Sequence, residues 1–327
     1  MPEVSRPVPE RDLNILFAHV AYQMSETFSQ RNAGIRHSQV WNRDDLNAQI
    51  GDADVLVVSG LWRNDLLAIA KKLKFVQSIG AGTDQFDQPA LRARGIRLAS
   101  ARGVNRNAVS EHTFALIFSI TRQLHLCRDN QRKHVYRGMI SDLAKREDEL
   151  GGKTLGIIGM GAIGSRVAEL GRALGMRVVA TKRNPATAEG PADVVLPPDR
   201  VSELLREADF VVLNCPLTPE TRGIINAHTL AQMKPTSWLI NVARGGCVVE
   251  PDLVDALRSG RIAGAALDHF AEDPLLPSSP FWDMENVIIT PHTAGETRQY
   301  ESNVIDILLE NLGRLSRGET QLRNQVV

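Results

Sequence analysis

Short apolar runs alternate with longer amphipathic stretches along nearly the whole chain, and this leaves few folds open. Apolar runs bounded by turn residues suit strands buried on both faces, and the stretches between them supply the crossover helices that parallel strands need. In the first third, strands are expected at 13–18, 54–59, 73–79 and 96–99, with helical segments such as 65–72 between them. A second series follows a polar stretch at 141–152, with strands at 154–159, 177–181, 209–214, 238–242, 264–267 and 286–290. Two such series predict two doubly wound α/β domains. No repeat or low-complexity tract relates or interrupts them.

Between the series, 109–126 reads as an apolar helix with Phe114, Ile117, Ile120 and Leu124 at helical spacing. Near its end the chain offers another helix, with Val304, Leu308, Leu312 and Leu315 on one stripe. Both stripes are expected to be core packing.

A length of 327 residues suits two domains. Lys and Arg together number 38, as do Asp and Glu, so the formal net charge is zero. That balance argues against a nucleic-acid partner. No apolar run approaches a membrane span. Cys127, Cys215 and Cys247 are scattered and form no CxxC pair, so neither a metal site nor a disulfide framework is expected. The opening MPEVSRPVPERD lacks the apolar centre of a signal peptide and reads as a loose leader. A cytoplasmic location is the resulting expectation.

The run 154–164, TLGIIGMGAIG, is an apolar strand that enters GxGxxG, and 165–174 continues as a helix. A glycine-rich turn alone is weak evidence; between a strand and a helix it gains meaning. Gly159 would allow the tight turn, Gly161 the approach of a pyrophosphate, and Gly164 close helix–strand packing. The helix start, with Met160, Ala162 and Ile163 in the same run, would present N–H groups to the phosphates. The acid that normally holds a ribose 2′-hydroxyl is missing, because no Asp or Glu lies between Glu169 and Glu189. Lys182 and Arg183 follow the 177–181 strand instead, a cationic tip suited to a 2′-phosphate. NADP is therefore expected over NAD.

Charged residues follow the ends of three successive strands: Arg244, then Asp268 and Asp273, then His292. C-terminal strand ends of a parallel sheet share one edge, so these groups can converge. Arg offers a planar fork for a carboxylate and a polarised carbonyl, His exchanges a proton near neutrality, and a carboxylate orients the His. Hydride reduction of a 2-oxo acid needs all three roles.

With these motifs in order, the sequence resembles the D-isomer-specific 2-hydroxyacid dehydrogenase family, in particular its glyoxylate/hydroxypyruvate reductase-like members. The likeness runs from about Leu73 onward through GAGTDQFD (80–87), RGIRLASARGVNRNAVSEH (94–112), GGKTLGIIGMGAIGSRVA (151–168), PLTPETRGIIN (216–226), NVARGGCVVE (241–250) and the stretch from AALDHFAEDP to NVIITPHTAG (265–295). It implies a Rossmann cofactor domain (108–293) inserted into a flavodoxin-like substrate domain (1–107 and 294–327).

The resemblance also implies roles. Arg244 would bind the substrate carboxylate and carbonyl, His292 would be the acid/base, and Asp273 its partner. Ala81 and Gly82 would offer backbone N–H groups to the substrate. Asp268 would contact the nicotinamide carboxamide, with Val242 and Ala243 along the cofactor. Cys215, Pro216, Thr221, His292 and Gly295 complete the implied cofactor-binding set. Members are typically homodimers.

Two departures stand out. The family commonly has Glu where this chain has Asp273, one methylene shorter, so its contact with His292 is expected to be longer or water-mediated, with Glu272 as a substitute. Lys182 stands where NAD-preferring relatives have Asp. The expected function is reduction of a small 2-oxo acid such as glyoxylate or hydroxypyruvate; the alternative is a non-catalytic, dinucleotide-sensing interaction protein of the same fold.

Overall fold

Strand β1 (Asn14–Ala18) shows how the first series folds. Its Ile15 and Phe17 point to one face and Leu16 and Ala18 to the other, all buried, as a strand covered by helices on both sides requires. The structure, a computed structural model, describes residues 12–187 and 190–327. The leader up to residue 11 and the Glu189 that bounds the acid-free interval lie outside the described residues. The chain divides into two compact units, one of residues up to Val104 with Thr297–Val327, the other Asn105–Glu296. These divisions lie three residues from the expected boundaries.

After β1 the first unit continues through α1 (Met24–Ser29), β2 (Arg36–Val40), α2 (Arg43–Gln49), β3 (Val55–Val58), α3 (Leu66–Ile69), β4 (Phe75–Ser78), α4 (Gln88–Ala93) and β5 (Arg97–Ala99). Its five-stranded parallel sheet has the order β2-β1-β3-β4-β5. Strand β2 was not expected. It is a sheet-edge strand of sequence RHSQV, and an edge strand needs no continuous apolar run.

The second unit opens with α5 (Arg106–Thr121) and α6 (Leu124–Arg132). A single helix over 109–126 was expected, and this needs correction. Gln123 takes φ +50°, in the left-handed region, and ends α5 there. Phe114, Ile117 and Ile120 are buried as the stripe required, but Leu124 is 52 % exposed beyond the break.

The cofactor-type sheet follows: β6 (Thr154–Ile158), α7 (Ala162–Ala173), β7 (Arg177–Thr181), β8 (Val194–Leu196), α8 (Val201–Glu207), β9 (Phe210–Leu213), α9 (Ala227–Leu230), β10 (Trp238–Asn241), α10 (Glu250–Arg258), β11 (Gly264–Leu267) and β12 (Val287–Ile289). Read across, the seven-stranded parallel sheet runs β8-β7-β6-β9-β10-β11-β12. The chain winds outward from β6 to β8, then returns to place β9 beside β6. That reversal is a topological switch point, where the C-terminal strand ends open a crevice. Helix α7 starts three residues earlier than the sequence suggested, directly after Gly161.

The chain then returns to the first unit as α11 (Tyr300–Ser316). Its Val304, Leu308 and Leu312 pack with Ile15 and Phe17, and Leu315 joins them partly buried. The last residues lie along β5: Leu98 N donates to Val327 O at 3.2 Å, and Val326 N to Leu98 O at 2.7 Å.

Candidate active site

The glycine turn sits at the switch point. β6 ends at Ile158, and Gly159 turns with φ +104°, where a Cβ would stand 2.7 Å from the Cys215 backbone nitrogen. Only glycine satisfies both limits. Gly161 caps α7 with no side-chain hydrogen bond, and a Cβ on it would meet nothing within 4 Å. The N–H groups of Ala162, Ile163 and Gly164 thus begin a twelve-residue helix beside open space. This backbone fits an anionic dinucleotide. Met160 N bonds to Thr181 O at 2.8 Å, and Gly159 N to Thr181 Oγ1 at 3.3 Å, tying the turn to β7.

Across the switch point, Asn214 follows β9. Both polar atoms of its amide are buried without a hydrogen-bond partner among the described residues. Buried polar groups are almost always paired, so an orphaned amide here fits a polar group of a ligand. Periodicity gave no hint of Asn214; its position at a strand end next to the glycine turn is the signal that could have. The adjoining loop is braced by Thr221, whose hydroxyl donates to Pro216 O at 2.6 Å. Beyond β7, Lys182 Nζ donates to Thr187 O at 2.7 Å, and Arg183 is exposed.

The residues expected to react follow the ends of β10, β11 and β12. Arg244 is exposed just after β10, and no ion pair engages it among the described residues. Asn241, fully buried, builds its turn by donating to Arg244 O at 3.1 Å and accepting from Ala243 N at 3.1 Å. Gly245 is obligatory beside it, because a Cβ there would overlap the Phe270 carbonyl. Val242 and Ala243 are buried along the same segment.

Asp268, at the end of β11, is wholly buried. It accepts from Thr290 Oγ1 at 2.6 Å, Thr293 N at 3.0 Å and Ala294 N at 3.1 Å. His112 Nε2 lies 3.1 Å from the Thr290 hydroxyl, whose proton is committed to Asp268, so the imidazole donates. These bonds gather the segment after β12, and Gly295 ends it against Asn105. At its centre His292 takes φ +56°, its N–H shared between Asp268 O and Thr290 O. A left-handed histidine is costly and persists only where its surroundings over-determine it.

That turn delivers His292 Nδ1 to 2.5 Å from Asp273 Oδ2. The expected long or water-mediated contact is therefore corrected: the pair is direct and short, because the Asp268-anchored turn carries the ring toward the shorter carboxylate. Asp273, not Glu272, is the partner. With Nδ1–H donated to the carboxylate, Nε2 is left to exchange a proton.

His269, which the sequence reading missed, packs its ring 4.0 Å from that of His292. It is only 8 % exposed, and burial pushes its pKa down to about 4, with the nearby His292 and Arg244 charges adding to the shift. Burial likewise lowers the His112 pKa, against the pull of Asp268. Both histidines could have been suspected only from their place in the motifs, where each directly follows an acid, Glu111 or Asp268.

Ala81 and Gly82 belong to the first unit, in the loop after β4. Among the described residues no acceptor takes either backbone N–H.

A doubly wound sheet with a dinucleotide-type turn, and a carboxylate-bound histidine beside an unpaired arginine on the same edge, define the class: a nicotinamide-dependent dehydrogenase. Residues 114–294 match the NAD binding domain of D-isomer specific 2-hydroxyacid dehydrogenases, and the chain belongs to that family. It is therefore an oxidoreductase that acts on the CH–OH group of 2-hydroxy acids. It is 38 % identical over 259 residues to a glyoxylate reductase of Aeropyrum pernix, covering 78 % of this chain and 77 % of that one. To a D-3-phosphoglycerate dehydrogenase of Mycobacterium leprae it is 35 % identical over 85 % of this chain, but it spans only 52 % of that longer protein. The crystal structure of a D-isomer specific 2-hydroxyacid dehydrogenase family protein from Aeromonas salmonicida superposes with a TM-score of 0.83 at 30 % identity, covering 98 % of this chain and 99 % of that one.

Proposed function

We propose that the protein reduces a small 2-oxo acid, glyoxylate or hydroxypyruvate, to its D-2-hydroxy acid, and that it prefers NADPH to NADH. The 2.5 Å His292–Asp273 pair carries this reading, because it leaves Nε2 as the proton donor. Arg244 would hold the carboxylate and polarise the carbonyl, a task for a planar fork. The free N–H groups of Ala81 and Gly82 would receive the substrate carboxylate. The nicotinamide cofactor supplies the hydride.

For that cofactor, Gly159–Gly164 would hold the pyrophosphate. Cys215, Pro216, Thr221, Val242, Ala243, His292 and Gly295 would line its path, with Asn214 added for its unpartnered amide. Asp268 serves first as anchor of the His292 turn. A carboxylate has about four acceptor positions, and the one left over would take a carboxamide N–H. The preference for NADPH rests on Lys182 and Arg183 after β7, where the sequence has no acid between Glu169 and Glu189, although Glu220 from the loop after β9 is near enough to feel the Arg183 charge. In a partly exposed pocket each charge-assisted bond to a 2′-phosphate is worth roughly 1.5–3 kcal/mol before screening.

We propose further that the chain works as a homodimer in the cytoplasm. Tyr136 and Met139 are fully exposed, and Leu143, Val135 and Leu124 are at least half exposed on neighbouring sequence, an apolar stretch that a second copy would cover. No described helix is long and apolar enough to cross a membrane.

The deciding experiment is a set of 2-oxo acids assayed with NADH and NADPH, on wild type, Arg244→Lys and Lys182→Asp. We expect a higher kcat/KM with NADPH, a preference that shrinks with salt, its reversal in Lys182→Asp, and near-inactivity in Arg244→Lys. Equal or better use of NADH by the wild type overturns the cofactor assignment, and a nearly unchanged Arg244→Lys overturns the substrate contact.

A further inference from the structure

Two imidazoles and a carboxylate meet at one exposed rim. One ring nitrogen each of His269 and His292 and one Asp273 oxygen all lie within 4.8 Å of one another. We propose that these three side chains form a binding site for a divalent ion of the zinc type, and that filling it silences the acid–base pair. The second half rests on His292 being the proton donor; the first half does not.

The donor set suits such an ion. Imidazole nitrogen and carboxylate oxygen are the ligands of zinc and its late first-row neighbours, whereas magnesium and calcium favour all-oxygen sites. Zinc bonds of about 2.0–2.2 Å put tetrahedral ligand atoms roughly 3.3–3.5 Å apart. The cluster must therefore rearrange, because the 2.5 Å His292–Asp273 contact has to open to that spacing, and two of its members are able to move. The side chains of Asp273 and His292 are 48 % and 51 % exposed and can swing, while His269 is buried and fixed. The same exposure lets an ion in.

Three protein ligands leave the fourth position to water, as in an open zinc site. Arg244 is near enough for its charge to act on His269, so it opposes the ion. The ion would replace the proton on the His292–Asp273 pair. No covalent or redox step is involved, and a chelator reverses the binding.

The test is titration of the EDTA-treated full-length protein with zinc chloride by calorimetry, beside an assay at the same zinc concentrations. The variant is His269→Phe, which keeps an aromatic ring against His292 but offers no ligand atom. We expect one saturable site in the wild type and a loss of turnover over the same range, restored by EDTA. His269→Phe should bind about tenfold or more weakly, and zinc that inhibits the wild type should leave the variant at its own zinc-free rate. If His269→Phe misfolds, Asp273→Asn at its exposed position should show the same loss of zinc binding. A wild type without a saturable site, or a site that survives both substitutions, overturns the proposal. Zinc binding that depends on His269 in a protein that reduces no 2-oxo acid even without zinc would leave the ion site standing and overturn the activity.

Discussion

His292 combines an unfavourable backbone with a short side-chain bond, and the two belong together. A left-handed non-glycine residue costs about 1–3 kcal/mol, and here Asp268 holds it in place. We expect His292→Ala to lower kcat by roughly 10²–10⁴-fold with dinucleotide affinity retained, checked by steady-state kinetics and cofactor titration. Near-normal turnover would remove His292 from the reaction. Asp273→Asn should shift the high-pH limb of the reductive pH–rate profile, where the proton donor is lost, to lower pH, because the imidazolium loses its carboxylate. The same shift in Glu272→Gln, with none in Asp273→Asn, would contradict the observed pairing.

A second histidine makes stability depend on pH. His19 Nδ1 accepts from Ala21 N at 3.1 Å and Tyr22 N at 2.9 Å, so it cannot carry a proton in the fold. Burial lowers its pKa below 6.5, against the pull of Glu301. The unfolded chain therefore takes up a proton first as pH falls. The contribution is complete above pH 6.5 and is lost as pH drops below it toward the folded value. His19→Asn, whose side-chain oxygen can accept the same two bonds, should flatten the stability slope between about pH 7 and 5. Urea midpoints across that range measure it, and an unchanged slope would assign the effect to other groups.

Among single residues, Arg244, Asp273 and His292 were legible because each follows a recognisable strand. Asn214, Thr290 and His112 were not, since their meaning lies in bonds that span 22 or 178 residues, or in a bond that is missing. The geometry of the Asp273 contact was misjudged because side-chain length was weighed without the backbone turn that sets the starting point.

At the level of elements, strands buried on both faces could be read almost to the residue, as for 177–181 and 264–267. Two of the four edge strands could not: β2 is mostly polar, and β8 has three residues. Pairing with β1, rather than apolar content, makes β2 a strand. The α5–α6 break failed for the opposite reason, since the apolar pattern runs on through a residue that leaves the helix. Gln123 holds φ +50° there. Gln123→Gly should stabilise the second unit by about 0.5–1 kcal/mol, because glycine has no Cβ to strain in that region. A fall in the urea midpoint would mean that the Gln123 Nε2 bond to Lys145 O matters more than the backbone.

In the whole molecule the fold class followed from alternation alone, whereas the proposed dimer has no periodic trace in the sequence. The exposed Tyr136 and Met139 carry no pattern that separates an interface from a loop. Replacing Tyr136 and Met139 together by Glu should yield monomers in sedimentation analysis without loss of secondary structure. Wild-type monomers at micromolar concentration would refute the dimer.

The interrupted first unit has a consequence for synthesis. Its sheet is made early, yet α11 and the tail along β5 come from Thr297–Val327, after the whole of Asn105–Glu296. At about 5–20 residues per second, the ribosome takes on the order of tens of seconds to bridge that gap. During that interval the second unit has everything it needs to close. The nascent first unit cannot cover Ile15 and Phe17 with Val304 and Leu308, because those residues do not yet exist. Translation thus leaves the earliest-made sheet as the last to be sealed, and a growing chain halted near residue 296 should expose that apolar face to chaperones and proteases.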